Sequence, residues 1–259
     1  MPRSEKGETH SSISKTRVVQ HETTVDFTRP IVIGGFVGPG LVGLTTAGYI
    51  IESMGLHEVA YVSSPYVPPS VVFIGGKVRH PFRIYRDKTG TVSLVICEVK
   101  IDRLGLYDTA FELLNWFQKF NPTEVVVLDA VPLTGLPEAR PTFFIAGDKR
   151  KEELKALGIL PAESVLVGGV AGSILSECLI RKIPSISLLT PVSITVPDPN
   201  APLNLIKALN AVYGFKIATK ELEEDVAAVN QELEEIAKQY RRVQEEASTE
   251  AKGTETMYG

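Results

Sequence analysis

Cysteine is nearly absent from this 259-residue chain, and so are several other means of holding or reacting. The two cysteines, Cys97 and Cys178, stand far apart, each inside an apolar run. That pattern predicts reduced core thiols and excludes a disulfide framework. The histidines, His10, His21, His57 and His80, are isolated, and no H-x-x-x-H, C-x-x-C or His/carboxylate cluster is present, so no metal is expected. G-x-S-x-G and G-x-x-x-x-G-K-[ST] are missing, which removes the nucleophile elbow and the P-loop. No run of 18 uncharged apolar residues occurs, so no membrane span is expected. The polar start, MPRSEKGETHSSISK, lacks the apolar stretch of a secretory signal, and a cytoplasmic protein is the default expectation. A surplus of positive charge is also lacking: the net charge is −4, which disfavours nucleic acid as a partner.

What is present is a globular composition, 44% hydrophobic and 22% charged, in a chain long enough to bury a real core. Residues 1–15 show no periodicity and are expected to be a disordered arm. Residues 16–218 alternate strand and helix patterns. Strands are expected at 31–33 (closed by Gly34-Gly35), 58–62, 71–74, 82–85, 91–98, 124–128, 142–146, 164–167 and 185–189. Helices are expected at 41–54, 107–120, 149–157, 171–181 and 203–213, and the turn at 87–90 predicts a hairpin. This alternation argues for an α/β domain with a mostly parallel sheet and helices on its faces. The loops after the strands are Gly- or Pro-rich, and such loops cluster where α/β folds carry function.

Residues 219–247 change character. Leu222, Val226, Val229, Leu233, Ile236, Tyr240 and Val243 are spaced 4 and 3 apart in alternation, a heptad seam with charged residues outside it. Acids crowd its first half and bases its last turns, as the helix dipole favours. One partner helix could cover so narrow a seam, within the same subunit or from a neighbour. Residues 248–259 are a polar, flexible tail ending in Met257-Tyr258-Gly259 and a free carboxylate. A hydrophobic residue, a tyrosine and a free C-terminus on a leash are the parts of a docking peptide.

Two glycine-rich turns invite a cofactor reading. Gly38, Gly40 and Gly43 complete G-x-G-x-x-G between a strand and a helix, where a pyrophosphate could approach the backbone. No acid stands at the end of the next strand, EVAYV, to hold a ribose, so a tight turn with close helix packing is favoured. Gly168-Gly169-Val170-Ala171-Gly172 allows the same two readings. Asp129 ends the strand EVVVL, where catalytic acids often lie, but no partner is visible. Asp102 and Arg103 suggest a loop ion pair or a helix cap, and Asp198 a turn or cap before the following helix.

Taken as an ordered set, IVIGGFVGPGLVGLTTAGYII (31–51), VLVGGVAGSILSE (165–177) and Pro-Asp-Pro-Asn-Ala-Pro (197–202) resemble the proteasome assembly chaperone 2 family. More narrowly, the chain is similar to that family's archaeal homologues, over about residues 25–245. The resemblance implies a three-layer α/β fold like that of nucleoside phosphorylases, with no established catalysis and no cofactor. It implies that Met257, Tyr258 and Gly259 insert between α-subunits of the 20S proteasome core. The Gly259 carboxylate would pair with a lysine, Tyr258 would bury its ring, and Met257 would fill an apolar groove. Assembly and activation both remain open. The nine residues 248–256 reach at most ~30 Å extended and about 17 Å on average. One tripeptide binds weakly, whereas several tails on a homo-oligomer gain avidity, so a homo-oligomer is expected. Two other functions fit the residues. One is a nucleotide or nucleoside site, with phosphorylase- or hydrolase-like activity, at Gly38–Gly43 and Asp129. The other is a scaffold that recruits through its long helix.

Overall fold

The computed structural model describes residues 15–21, 25–135, 140–193, 195, 198–224 and 226–227. Nearly all of the expected N-terminal arm, the heptad helix beyond 227 and the whole tail lie outside these residues. The chain runs through β1 (Arg17–Gln20) and β2 (Ile31–Phe36) into α1 (Val42–Ser53) and β3 (His57–Ser63). The small strands β4 (Val72–Ile74) and β5 (Lys77–Arg79) precede the hairpin of β6 (Phe82–Arg86) and β7 (Val92–Cys97). Next come α2 (Leu106–Gln118), β8 (Glu124–Leu133), β9 (Phe143–Ala146), α3 (Asp148–Ala156) and β10 (Leu160–Pro161). The series closes with α4 (Gly169–Arg181), β11 (Ser185–Ser193) and α5 (Asn200–Tyr213), and residues 220–224 are again helical.

Nine of these strands form one sheet in the order β1-β3-β6-β7-β2-β8-β11-β9-β10. The four central strands, β7, β2, β8 and β11, are all parallel. Their side chains are buried on both faces, which is why they read as continuous apolar runs instead of alternating ones. Register follows from that burial: Ile33 stands opposite both Leu94 and Val126, and Val126 opposite Ile186. The β6–β7 hairpin and β3 extend one edge antiparallel, and β9 joins the other edge antiparallel.

Alternate residues feed two separate cores. Val126, Leu128 and Ala130 of β8 pack with α1, α5 and Leu154 of α3. Val125 and Val127 pack on the opposite face with α2 and α4. The result is three layers, helices on both sides of a sheet. Cys97 and Cys178 are both free and fully buried in the second core. Burial pushes each thiol up to about 12.

Three expectations are corrected. Gly34 and Gly35 do not end β2 but lie inside it, because α1 crosses closely at that point. No strand forms at 164–167: β10 already occupies the edge beside β9, and the chain must then cross to the other face to begin α4. Leu166 in that crossing is 94% exposed. β1, β5 and β10 were not anticipated, since stretches of two to four residues are too short to read as strands.

Candidate functional site

The turn from β2 to α1 is built by its glycines. Gly40 has φ +58°, a left-handed conformation that costs glycine little. Gly43 lies so close to β8 that a Cβ there would sit 2.3 Å from the Leu128 carbonyl oxygen. A Cβ on Gly35 would likewise fall 2.3 Å from the Gly43 carbonyl. Gly43 and Gly35 thus let helix and sheet touch backbone to backbone. Gly38 faces the Asp129 carboxylate: a Cβ would stand 2.8 Å from Oδ1, so the carboxylate would have to turn aside.

Across from this turn lies the start of α4. Together the two glycine-rich segments frame a cavity of about 280 Å³, whose lining includes Phe36, Gly38, Asp129, Leu166 and Gly169. Asp129 Oδ1 accepts from the Ala130 backbone N–H at 2.9 Å, its one hydrogen bond among the described residues. Burial pushes its carboxyl above the usual carboxylate range. Such a group could accept from, or when protonated donate to, a polar ligand. Among the described residues no Lys, Arg or His lines the cavity. A pyrophosphate would therefore meet Asp129 with no side-chain cation to offset it. Nor can an acid at the end of β3 reach a ligand here, since β6 and β7 separate β3 from β2. Packing accounts for Gly43 and backbone conformation for Gly40, while Gly38 borders the cavity beside Asp129.

The other expected site, Met257, Tyr258 and Gly259, lies outside the described residues. What leads toward it is visible. Leu222 is buried against the α1/α5 core and Val226 packs beside it, so the first two seam positions cover their own subunit. Lys207 of α5 pairs with Glu223 at 2.9 Å, and Tyr49 of α1 donates to the Ala218 carbonyl at 2.9 Å.

Asp102 caps the turn that enters α2 by accepting from the Leu104 N–H at 2.9 Å. Asp198 accepts from the Asn200 N–H at the start of α5 and also binds Arg140 at 2.7 Å. His21 is not isolated: it meets Glu58 at 2.8 Å. His80 stacks on Tyr61 at 5.0 Å, and burial lowers its pKa. A cluster of Glu58, Arg79, Arg83 and Glu98 on β3, β5, β6 and the end of β7 went unread in the sequence. Its signal was the alternation in Phe-Arg-Ile-Tyr-Arg, which places Phe82 and Ile84 in one core and Arg83 on the opposite face.

Fold, turns and cavity together define a three-layer α/β protein with paired glycine-rich turns at the carboxyl edge of its parallel strands. Residues 32–237 match the PAC2 family, and the chain belongs to that family. Among solved structures it is similar to a Thermoplasma acidophilum protein of unknown function, with 41% identity and a TM-score of 0.73. That match covers 86% of this chain and 91% of the other. Pyrococcus furiosus PbaA, described as an archaeal homolog of proteasome-assembly chaperone, aligns with a TM-score of 0.77 at 22% identity. Here 94% of this chain and 99% of PbaA are covered. Pyrococcus furiosus PbaB, described as an archaeal proteasome activator, aligns with a TM-score of 0.75 at 20% identity, covering 87% of this chain and 100% of PbaB. Among the described residues no helix is long and apolar enough to cross a membrane.

Proposed function

We propose that this protein is a non-enzymatic, ATP-independent partner of the 20S proteasome, acting in its assembly or activation. Its Met257-Tyr258-Gly259 tails would dock in pockets between α-subunits. One observation carries the reading: a PAC2 chain that shares its fold over nearly the full length of PbaA and PbaB ends in hydrophobic-Tyr-X. The tail would bind through the Gly259 carboxylate and the Tyr258 ring, with Met257 in an apolar groove.

Avidity requires several tails, and exposed apolar side chains support a homo-oligomer. Leu104 and, on α2 and α4, Tyr107, Phe111, Leu179 and Ile180 are all exposed. Single exposed apolar residues are ordinary, but five on the outside of one helical layer favour a protein interface. Arg181 stiffens that layer by bonding α4 to Asn115 and Gln118 of α2, each at 2.8 Å.

The test is surface plasmon resonance against a 20S core, comparing the full chain with one lacking Met257–Gly259. The truncated chain is expected to lose binding by about tenfold or more. Unchanged affinity would remove the tail from the mechanism.

A second reading rests on the Asp129 cavity, which is large enough for a nucleoside-sized fragment. A thermal-shift panel of nucleosides and nucleotides tests it, and stabilisation lost in Asp129→Asn would favour it over the first.

A further inference from the structure

A second cavity, of about 530 Å³, lies between α1 and the β4–β5 hairpin, over the sheet face of β6 and β7. Its volume falls in the range of small-molecule sites. Arg83 lines it with a side chain only 2% exposed. The guanidinium Nε donates to the Tyr85 hydroxyl at 2.8 Å. Nη1 donates to the His80 carbonyl and to Glu98 Oε2, both at 2.6 Å. Among the described residues Nη2 has no acceptor. Nη2 is not among the sealed, partnerless polar atoms of the fold, so its accessible edge opens on the cavity that Arg83 lines, where a ligand oxygen can take the place of water.

The neighbouring acids do not fill that role. Glu98 is already bound to Arg83 through Nη1. Glu58 is held by Arg79 and His21 and lies 4.0 Å from Arg83 Nε. Glu52 is exposed at the rim. Lys77 and Arg79 reach the cavity from the hairpin and set three cations against three acids, so selectivity rests on the open N–H groups and not on net charge. Ile51, Leu56 and Ile96 give the remaining walls an apolar stretch, beside Tyr85 and an exposed His57.

Gly48 supplies a separate observation. It sits inside α1, where alanine would be more stable by ~0.5–1 kcal/mol. It lines the cavity, and a Cβ there would meet nothing within 4 Å. Packing therefore gives no reason for a glycine, whereas a ligand against the helix backbone does. We propose that this crevice binds small organic carboxylates with an apolar body, the carboxylate on Arg83 Nη2 and the body against Ile51, Leu56 and Ile96.

The experiment is isothermal calorimetry on the full chain with isovalerate, isocaproate and phenylacetate, each paired with its neutral amide. At least one acid is expected to bind, and its amide about tenfold more weakly, as a charge-assisted contact requires. Gly48→Leu fills the crevice while improving helix propensity, so binding should vanish with the melting temperature kept or raised. Arg79→Gln, which leaves Arg83 in place, should weaken the acid severalfold. Three results would overturn the proposal: no acid binds, an acid and its amide bind alike, or Gly48→Leu binds as the unaltered chain does. None of these bears on the proteasome reading, whose test uses a different part of the chain.

Discussion

Gly43 shows how much one missing side chain can decide. With only a hydrogen at that position, α1 rests on the Leu128 carbonyl, so this glycine of the motif serves packing. The motif was legible in the sequence, but its purpose was not, because G-x-G-x-x-G looks the same whether a phosphate or a strand approaches it. The cysteines were legible in both respects, since apolar neighbours predict burial and burial sets the thiol chemistry. Burial raises both thiols from about 9 to about 12 in the folded chain. Below pH 9 both states hold these protons, so the thiols cost nothing there. Between about pH 9 and pH 12 only the unfolded state releases them, and stability falls with rising pH. Each thiol contributes a slope of up to about 1.4 kcal/mol per pH unit. Urea melts from about pH 8 to about pH 11 should show this decline, and a Cys97→Ala/Cys178→Ala chain should show a shallower one. Identical slopes would contradict it.

Among the elements, central strands and long helices were readable because their patterns persist over many residues. β8 and β11 proved longer than their apolar runs: they pair from Val125/Ser185 to Leu133/Ser193, through Pro132 and Pro191. Proline is accepted at this end of the ladder. The absent strand at 164–167 failed for the opposite reason, because an apolar run needs a neighbour with free backbone groups. The heptad seam at 222–243 was evident, but its partner was not. Its first two positions are covered by the chain's own α1/α5 core. Leu222→Ala should release that start, at a cost of ~2–3 kcal/mol felt locally. Amide exchange over residues 214–227 should quicken while the central strands keep their protection. Unchanged exchange there would mean that Leu222 does not anchor the helix.

For the molecule as a whole, the two faces of the sheet end differently. The α1/α5 layer receives the start of the C-terminal helix, whereas the α2/α4 layer presents Tyr107, Phe111, Leu179 and Ile180 outward. In the proposed homo-oligomer, a neighbouring copy would cover that second face. Replacing Leu179 and Ile180 by lysine should reduce the native mass from a multiple of 28.2 kDa to the monomer without lowering the melting temperature of the fold. An unaltered mass would place the interface elsewhere. If the tails act by avidity, the same variant should lose proteasome binding while keeping its tail.

The amino-acid order by itself determined the α/β class, the central strands, the reduced cysteines and the heptad spacing. Each follows from local periodicity or composition, which need no knowledge of neighbours in space. Its glycine segments also pointed to the PAC2 family, to which the chain belongs. Only the tertiary structure showed that Gly43 lets α1 touch β8 and that Asp129 sits half-buried between two glycine turns. It alone brought Arg83, Glu98, Glu58 and Arg79 around one crevice. These are meetings of residues far apart in the chain, and sheet order, which local pattern does not encode, sets them.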